Sequence, residues 1–166
     1  MSIVMHRDPG PAPNEAEVEI VERKGLGHPD SICDSIAEEF SRRLCLEYQT
    51  RVGHVLHHNV DKALLAAGSS EPRFGGGRVI APARLILAGR AALDIGGDSI
   101  DVDALAEDVA RGWLRENLHA FDADAGIEVS VAVRPGSAEL VDLFDAAAGQ
   151  APTANDSSCG VGGLLN

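Results

Sequence analysis

Apolar residues recur every four positions from Ile32 through Ile36, Phe40 and Leu44 to Tyr48, and Cys33 and Ala37 widen the stripe. That spacing predicts an amphipathic helix with one face toward a core. Pro29 bars an earlier start, and Ser31 followed three residues later by Asp34 predicts a capping box in its acidic form. Upstream, residues 15–23 alternate apolar and charged positions, with Val18 and Ile20 on one face, which predicts a half-buried first strand. Downstream, residues 54–60 and 63–67 read as two strands, and residues 69–77, ending in Gly75, Gly76 and Gly77, as a loop. Residues 79–93 read as a further strand, its first part confined to an edge or bulge because Pro82 has no N–H to give a ladder. Asp101 or Asp103 caps a second helix reaching about His119, with Leu105, Val109, Trp113 and Leu114 or Leu118 toward the core. Ile127, Val129, Val131 and Val133 then alternate with polar or small residues, the clearest strand of the chain. A turn through Arg134, Pro135, Gly136 and Ser137 leads to a short helix carrying Leu140, Leu143 and Phe144.

This order predicts an α+β fold, a mixed or antiparallel sheet covered by helices. Residues 1–14, with Pro9, Pro11 and Pro13, read as an extended arm, residues 15–147 as the folded region, and residues 148–166, rich in Gly, Pro, Ser and Asn, as a tail. A length of 166 residues gives room for one core. A formal charge of -12, from 26 acidic and 14 basic residues, would repel phosphate backbones, so a nucleic-acid partner is not expected. Neither is a membrane: no segment approaches the roughly 18 uninterrupted apolar residues of a spanning helix, and the first residues carry no signal-peptide pattern. A cytoplasmic protein is expected, with Cys33, Cys45 and Cys159, an odd set without C-x-x-C spacing, as reduced thiols.

Candidate chemistry concentrates at the turn that opens the first helix, where unpaired amides and the helix dipole favour an anion. Gly25 and Gly27 let backbone approach a phosphate, Lys24 supplies positive charge, His28 can donate to an oxygen leaving group, and Asp30 can hold a magnesium ion. Residue types alone favour a plain turn with Asp30 as helix cap, because Gly-x-Gly without a third glycine or a Gly-Lys-Ser/Thr ending is weak. His54, His57 and His58 suggest zinc, but on a strand His57 and His58 face opposite ways, so polar residues lining a pocket or edge are preferred.

The segment VERKGLGHPDSICD, residues 21–34, resembles the start of an archaeal-type S-adenosylmethionine synthetase. VLHHNVDK at residues 55–62, FGGG at 74–77, LVDLF at 140–144 and AND at 154–156 continue the resemblance in order. It implies methionine adenosyltransfer: methionine sulfur attacks C5′ of ATP, and the displaced triphosphate is cleaved to phosphate and diphosphate. It implies His28 beside the breaking C5′–oxygen bond, Asp30 as a magnesium ligand, and Lys24, Gly27, His58, Asp61 and Lys62 lining the site. Arg134, Gly136 and Ser137 fall on an ATP-binding segment, and Asp156 near the adenosyl or methionine moiety. Mg2+, and K+ by resemblance, are the implied cofactors; ATP and L-methionine are the substrates. Arg134 and Pro135 replace a glycine-rich, glutamine-containing pattern, Pro135 removing one donor amide, and Cys159 and Gly163 replace a phenylalanine and a tyrosine. Family chains run further, through two more pseudo-repeated domains that carry additional charged site residues. The resemblance therefore implies an incomplete synthetase fold: a fragment, or one part of a split enzyme completed by a second chain or a homo-oligomer. The alternative is a catalytically silent relative acting as an assembly or regulatory subunit.

Overall fold

The computed structural model describes residues 4, 5, 10, 15, 17, 18, 20, 22–95 and 97–136. The chain divides into two units, Lys24–Gln150 and a second made of Met1–Arg23 with Ala151–Asn166. The element order in the first unit is α1 (Pro29–Val52), β1 (His58–Ala66), β2 (Ser69–Arg73), β3 (Gly76–Ala81), β4 (Ala83–Ala91), β5 (Asp94–Ile95), β6 (Asp98–Ser99), α2 (Val102–Asn117) and β7 (Ile127–Arg134).

The centre is a mixed three-stranded sheet in the order β1-β4-β7, with β1 antiparallel and β7 parallel to β4. A parallel neighbour requires a crossover, and α2 provides it between β4 and β7. Both helices cover one sheet face: α1 lies on β1, α2 on β7, and the helices touch each other. That face carries Ala63 and Leu65 of β1, Leu85 and Leu87 of β4, and Ile127, Val129, Val131 and Val133 of β7, in matching register. Against it α1 buries Ile32, Ile36, Phe40, Leu44 and Tyr48, the stripe expected from the sequence. Each such large side chain stabilises the fold by roughly 1.5–3 kcal/mol on burial. From α2, Ala106, Val109, Ala110 and Leu114 are buried, whereas Leu105, Trp113 and Leu118 pack at the margin. The small residues let α2 approach closely.

Several expectations change. Residues 54–60 and 63–67 are not two strands: one strand, β1, starts at His58 and runs through a register shift between Asn59 and Lys62. The bulge breaks the period-2 pattern and makes one strand look like two. Residues 69–77 are not a loop. β2 and β3 pair around Phe74 and Gly75, and Gly75 has the positive φ of 78° that a tight turn demands. Residues 79–93 are not one strand: β3 ends at Ala81 and pairs with β2, β4 starts at Ala83 in the central sheet, and Pro82, with no N–H for a ladder, stands between them. Of residues 15, 17, 18, 20, 22 and 23, none lies in a strand, and Val18 and Ile20 are exposed. Alternation marks strand capacity only, which a ladder partner must realise. The second helix begins as expected, the Asp101 carboxylate accepting from the Ala104 N–H at 3.0 Å. The expected short helix with Leu140, Leu143 and Phe144, and the tail, lie outside the described residues.

Candidate active site

The turn from Lys24 to Asp30 is built by α1 itself. The His28 N–H donates to the Gly25 carbonyl at 3.0 Å, closing the turn, and Pro29 is the first helical residue. The helix cap is therefore neither Ser31 nor Asp30 but His28, whose Nδ1 accepts the Asp30 N–H at 3.1 Å. A proline at the first helical position needs no partner for a missing N–H, which lets the helix begin two residues before Ser31. An N–H can be met only by a lone pair, so the capping imidazole is unprotonated at Nδ1 and carries its proton on Nε2.

Asp30, in the first turn, forms an ion pair with the Lys24 ammonium. The hydrogen bond and charge of Lys24 hold its carboxyl below the usual carboxylate range. The segment is exposed, and Gly27 sits against Leu118 at the end of α2, where an added Cβ would lie 3.9 Å from Leu118 Cδ2. One turn thus presents a donor, a cation and a carboxylate kept ionised. Magnesium commonly takes one or two protein carboxylates and completes its shell with water and phosphate oxygens, so Asp30 fits it as a single anchoring ligand. Among the described residues, no group of three His, Cys, Asp or Glu side chains comes together.

His58 does a different job. Its Nδ1–H donates to the Leu56 carbonyl at 3.0 Å, which leaves Nε2 to accept from the Ser41 hydroxyl at 2.8 Å, with the Cys45 sulfur 3.8 Å away. The ring also lies tilted against Tyr48, centroids 5.6 Å apart. Both nitrogens are engaged: Nε2 joins the start of β1 to α1, and Nδ1 fixes the ring on the backbone two residues upstream. His54 Nδ1 donates to the Val52 carbonyl at 3.1 Å, and burial, then the neighbouring His58, lower the pKa of His57. Asp61 and Lys62 follow in the bulge, exposed and ion-paired to each other.

Arg134 ends β7 and Gly136 follows, half-buried; Ser137 and Asp156 lie outside the described residues. Arg134 pairs in register with Arg90 of β4, which in turn pairs with Asn59. The Arg90 guanidinium donates to the Pro135 carbonyl at 3.1 Å. Sequence analysis missed Arg90 and Ser41. Arg90 has one signal, an even spacing from Arg84 that puts both on the same face of β4. Ser41 has none beyond a place beside the helix stripe.

The described site residues do not converge within this unit. Cys33, one turn into α1, meets the Leu65 backbone, whereas Ser41, Cys45 and Tyr48 further along meet His58 and Ala92. Leu65 pairs with Leu85 and His58 with Ala91, so α1 starts at one end of the sheet and reaches the other. The turn with Lys24, His28 and Asp30 lies at the first end and Arg90 and Arg134 at the second, with Lys62, opposite Ala88, about midway between. Six residues of strand between Leu85 and Ala91 amount to about 20 Å.

The family model for S-adenosylmethionine synthetase (AdoMet synthetase) matches residues 2–164. The chain is 51% identical over 146 residues to an S-adenosylmethionine synthase of Methanothrix thermoacetophila, covering 88% of this chain and 37% of that protein. It is 49% identical over 150 residues to a probable S-adenosylmethionine synthase of Aquifex aeolicus, covering 89% and 38%. Against the S-adenosylmethionine synthase of Haloquadratum walsbyi the identity is 48% over 151 residues, covering 91% and 38%. The chain therefore spans well under half the length of these curated relatives, corresponding to their N-terminal portion. By sequence, this chain belongs to the S-adenosylmethionine synthetase family.

Proposed function

We propose that the chain contributes part of the active site of an ATP-dependent methionine adenosyltransferase: ATP, L-methionine and water give S-adenosylmethionine, phosphate and diphosphate. The single observation that carries this reading is family membership across residues 2–164, with the Lys24–His28–Asp30 turn folded as one preorganised unit.

In this reading methionine sulfur donates its lone pair to C5′ of ATP, and the C5′–oxygen bond breaks with its electrons passing to the triphosphate. The difficulty is negative charge gathering on the leaving oxygen. His28, its proton held on Nε2 by the cap, donates a hydrogen bond to that oxygen. Lys24 places positive charge beside it, and the first amides of α1 add their partial charge. Asp30 would hold a magnesium ion, whose charge would offset that of the phosphates. Asp61, Lys62, Arg134, Gly136, Ser137 and Asp156 complete the substrate surround. His58, with both ring nitrogens engaged, acts by holding β1 to α1. Because the Lys24–Asp30 turn lies at one end of the sheet and Arg134 at the other, a complete site draws the second set from another copy or another chain. The reading is of a cytoplasmic enzyme; no helix among the described residues is long and apolar enough to cross a membrane.

The test is S-adenosylmethionine formation from ATP and methionine with magnesium and potassium, using the chain alone and together with a second polypeptide carrying the rest of the relatives' length. Product that disappears in His28→Ala and Asp30→Asn supports the reading. A folded chain that gives no product in either format overturns it in favour of the alternative, a silent assembly or regulatory subunit.

A further inference from the structure

The outer face of the sheet, away from the helices, carries two guanidinium rows of opposite character. At one end Arg84 of β4 stands in register with Glu128 of β7, and the two form an ion pair at 3.6 Å. At the other end Arg90 stands in register with Arg134. Strands are about 4.8 Å apart, and like charges directly opposite each other are destabilising. Each arginine makes only a backbone contact there, Arg90 to the Pro135 carbonyl and Arg134 to the Val133 carbonyl, both at 3.1 Å. Among the described residues neither has a carboxylate partner, in a chain with 26 acidic residues against 14 basic ones. Asn59 extends the row, and Lys62 follows on the same face one row along, opposite Ala88.

A pair of facing guanidiniums is stable when a multivalent oxyanion lies across both, because each fork can give two parallel N–H bonds to oxygens. We infer that Arg90 and Arg134 together form an oxyanion-binding site, with Arg90 a substrate-contacting residue that no motif had marked. The ligand chemistry is a phosphate chain or a carboxylate. This rests on the proposed function in one respect only, the expectation that the anion belongs to ATP or methionine.

Binding without turnover separates the two ideas. Isothermal titration of the 166-residue chain with inorganic tripolyphosphate and, separately, with L-methionine at low ionic strength reads the affinity of Arg90→Gln, Arg134→Gln and the double variant. Arg84→Gln, at the ion-paired end of the same face, is the control. The expected result is saturable tripolyphosphate binding weakened at least about tenfold by either substitution and unchanged in the control. The same pattern with L-methionine alone identifies a carboxylate subsite. In addition, Arg90→Gln melts at a higher temperature than the unsubstituted chain without anion, since one repelling charge is gone, and gains less from added anion. A merely structural Arg90 would instead lower the melting temperature. Absence of saturable binding of both probes, or affinities that Arg90→Gln leaves unchanged, overturns the inference, whatever the outcome of the S-adenosylmethionine assay.

Discussion

The imidazole Nδ1 of His28 accepts the backbone N–H of Asp30 at 3.1 Å, so the residue with the best claim to chemistry is also the cap of α1. Substitution therefore confounds two roles unless the replacement restores one of them. His28→Ala loses the cap and should cost roughly 1 kcal/mol of stability, read as a lowered urea midpoint. His28→Asn keeps a capping oxygen and should recover most of that loss while remaining without the Nε2 donor. Product formation that recovers along with stability in His28→Asn would show that the imidazole is a cap and nothing more.

Gly89 sits where β4 passes the bulge of β1. A Cβ there would lie 2.1 Å from the Asn59 carbonyl oxygen and 2.8 Å from Val60 Cα, both backbone atoms that cannot swing aside. Gly89→Ala should destabilise the chain by about 1–3 kcal/mol or more. Gly112, inside α2 with open space around it, makes the opposite case. Gly112→Ala should stabilise by about 0.5–1 kcal/mol, because alanine is the better helix former. Denaturant melts followed by Trp113, the single tryptophan, rank the two variants.

Tyr48, the single tyrosine, is fully buried and donates its hydroxyl to the Ala92 carbonyl at 3.0 Å. Burial pushes its pKa up to about 12. The unfolded chain loses this proton near pH 10, so above that pH the folded state holds more protons, and stability falls as pH rises from about 10 toward 12. The contribution is complete below pH 10. Phenolate absorbance should rise near pH 12, or earlier together with unfolding, and Tyr48→Phe should flatten the alkaline loss of stability. A midpoint near 10 in a chain still folded would refute the burial argument.

Lys24 depresses the Asp30 carboxyl by hydrogen bond and charge. A depressed carboxylate contributes stability at pH above its unfolded value, near 3.8, and loses it as pH falls through the lower folded value. Carboxyl-resolved NMR titration should place Asp30 below the ordinary range and return it there in Lys24→Gln. Salt should shrink the difference, because both groups are exposed.

The sequence by itself determined what local periodicity and capping chemistry control. The α1 stripe from Ile32 to Tyr48, the Asp101 cap and the alternation of β7 were legible, because each depends on neighbours within a few residues. The GHPD turn was legible as a candidate site through family resemblance, but its cap was not, since a histidine in place of Ser, Thr, Asp or Asn gives no ordinary capping signal. Tertiary structure decided the rest. Whether residues 58–66 form one strand depended on β4 accepting a bulge beside Gly89. That His58 faces α1 depended on the side of that bulge on which it fell. That Arg90 stands beside Arg134, 44 positions further along the chain, depended on a parallel pairing made possible by the α2 crossover. Cross-strand register is a relation between segments distant in sequence, and no local pattern encodes it.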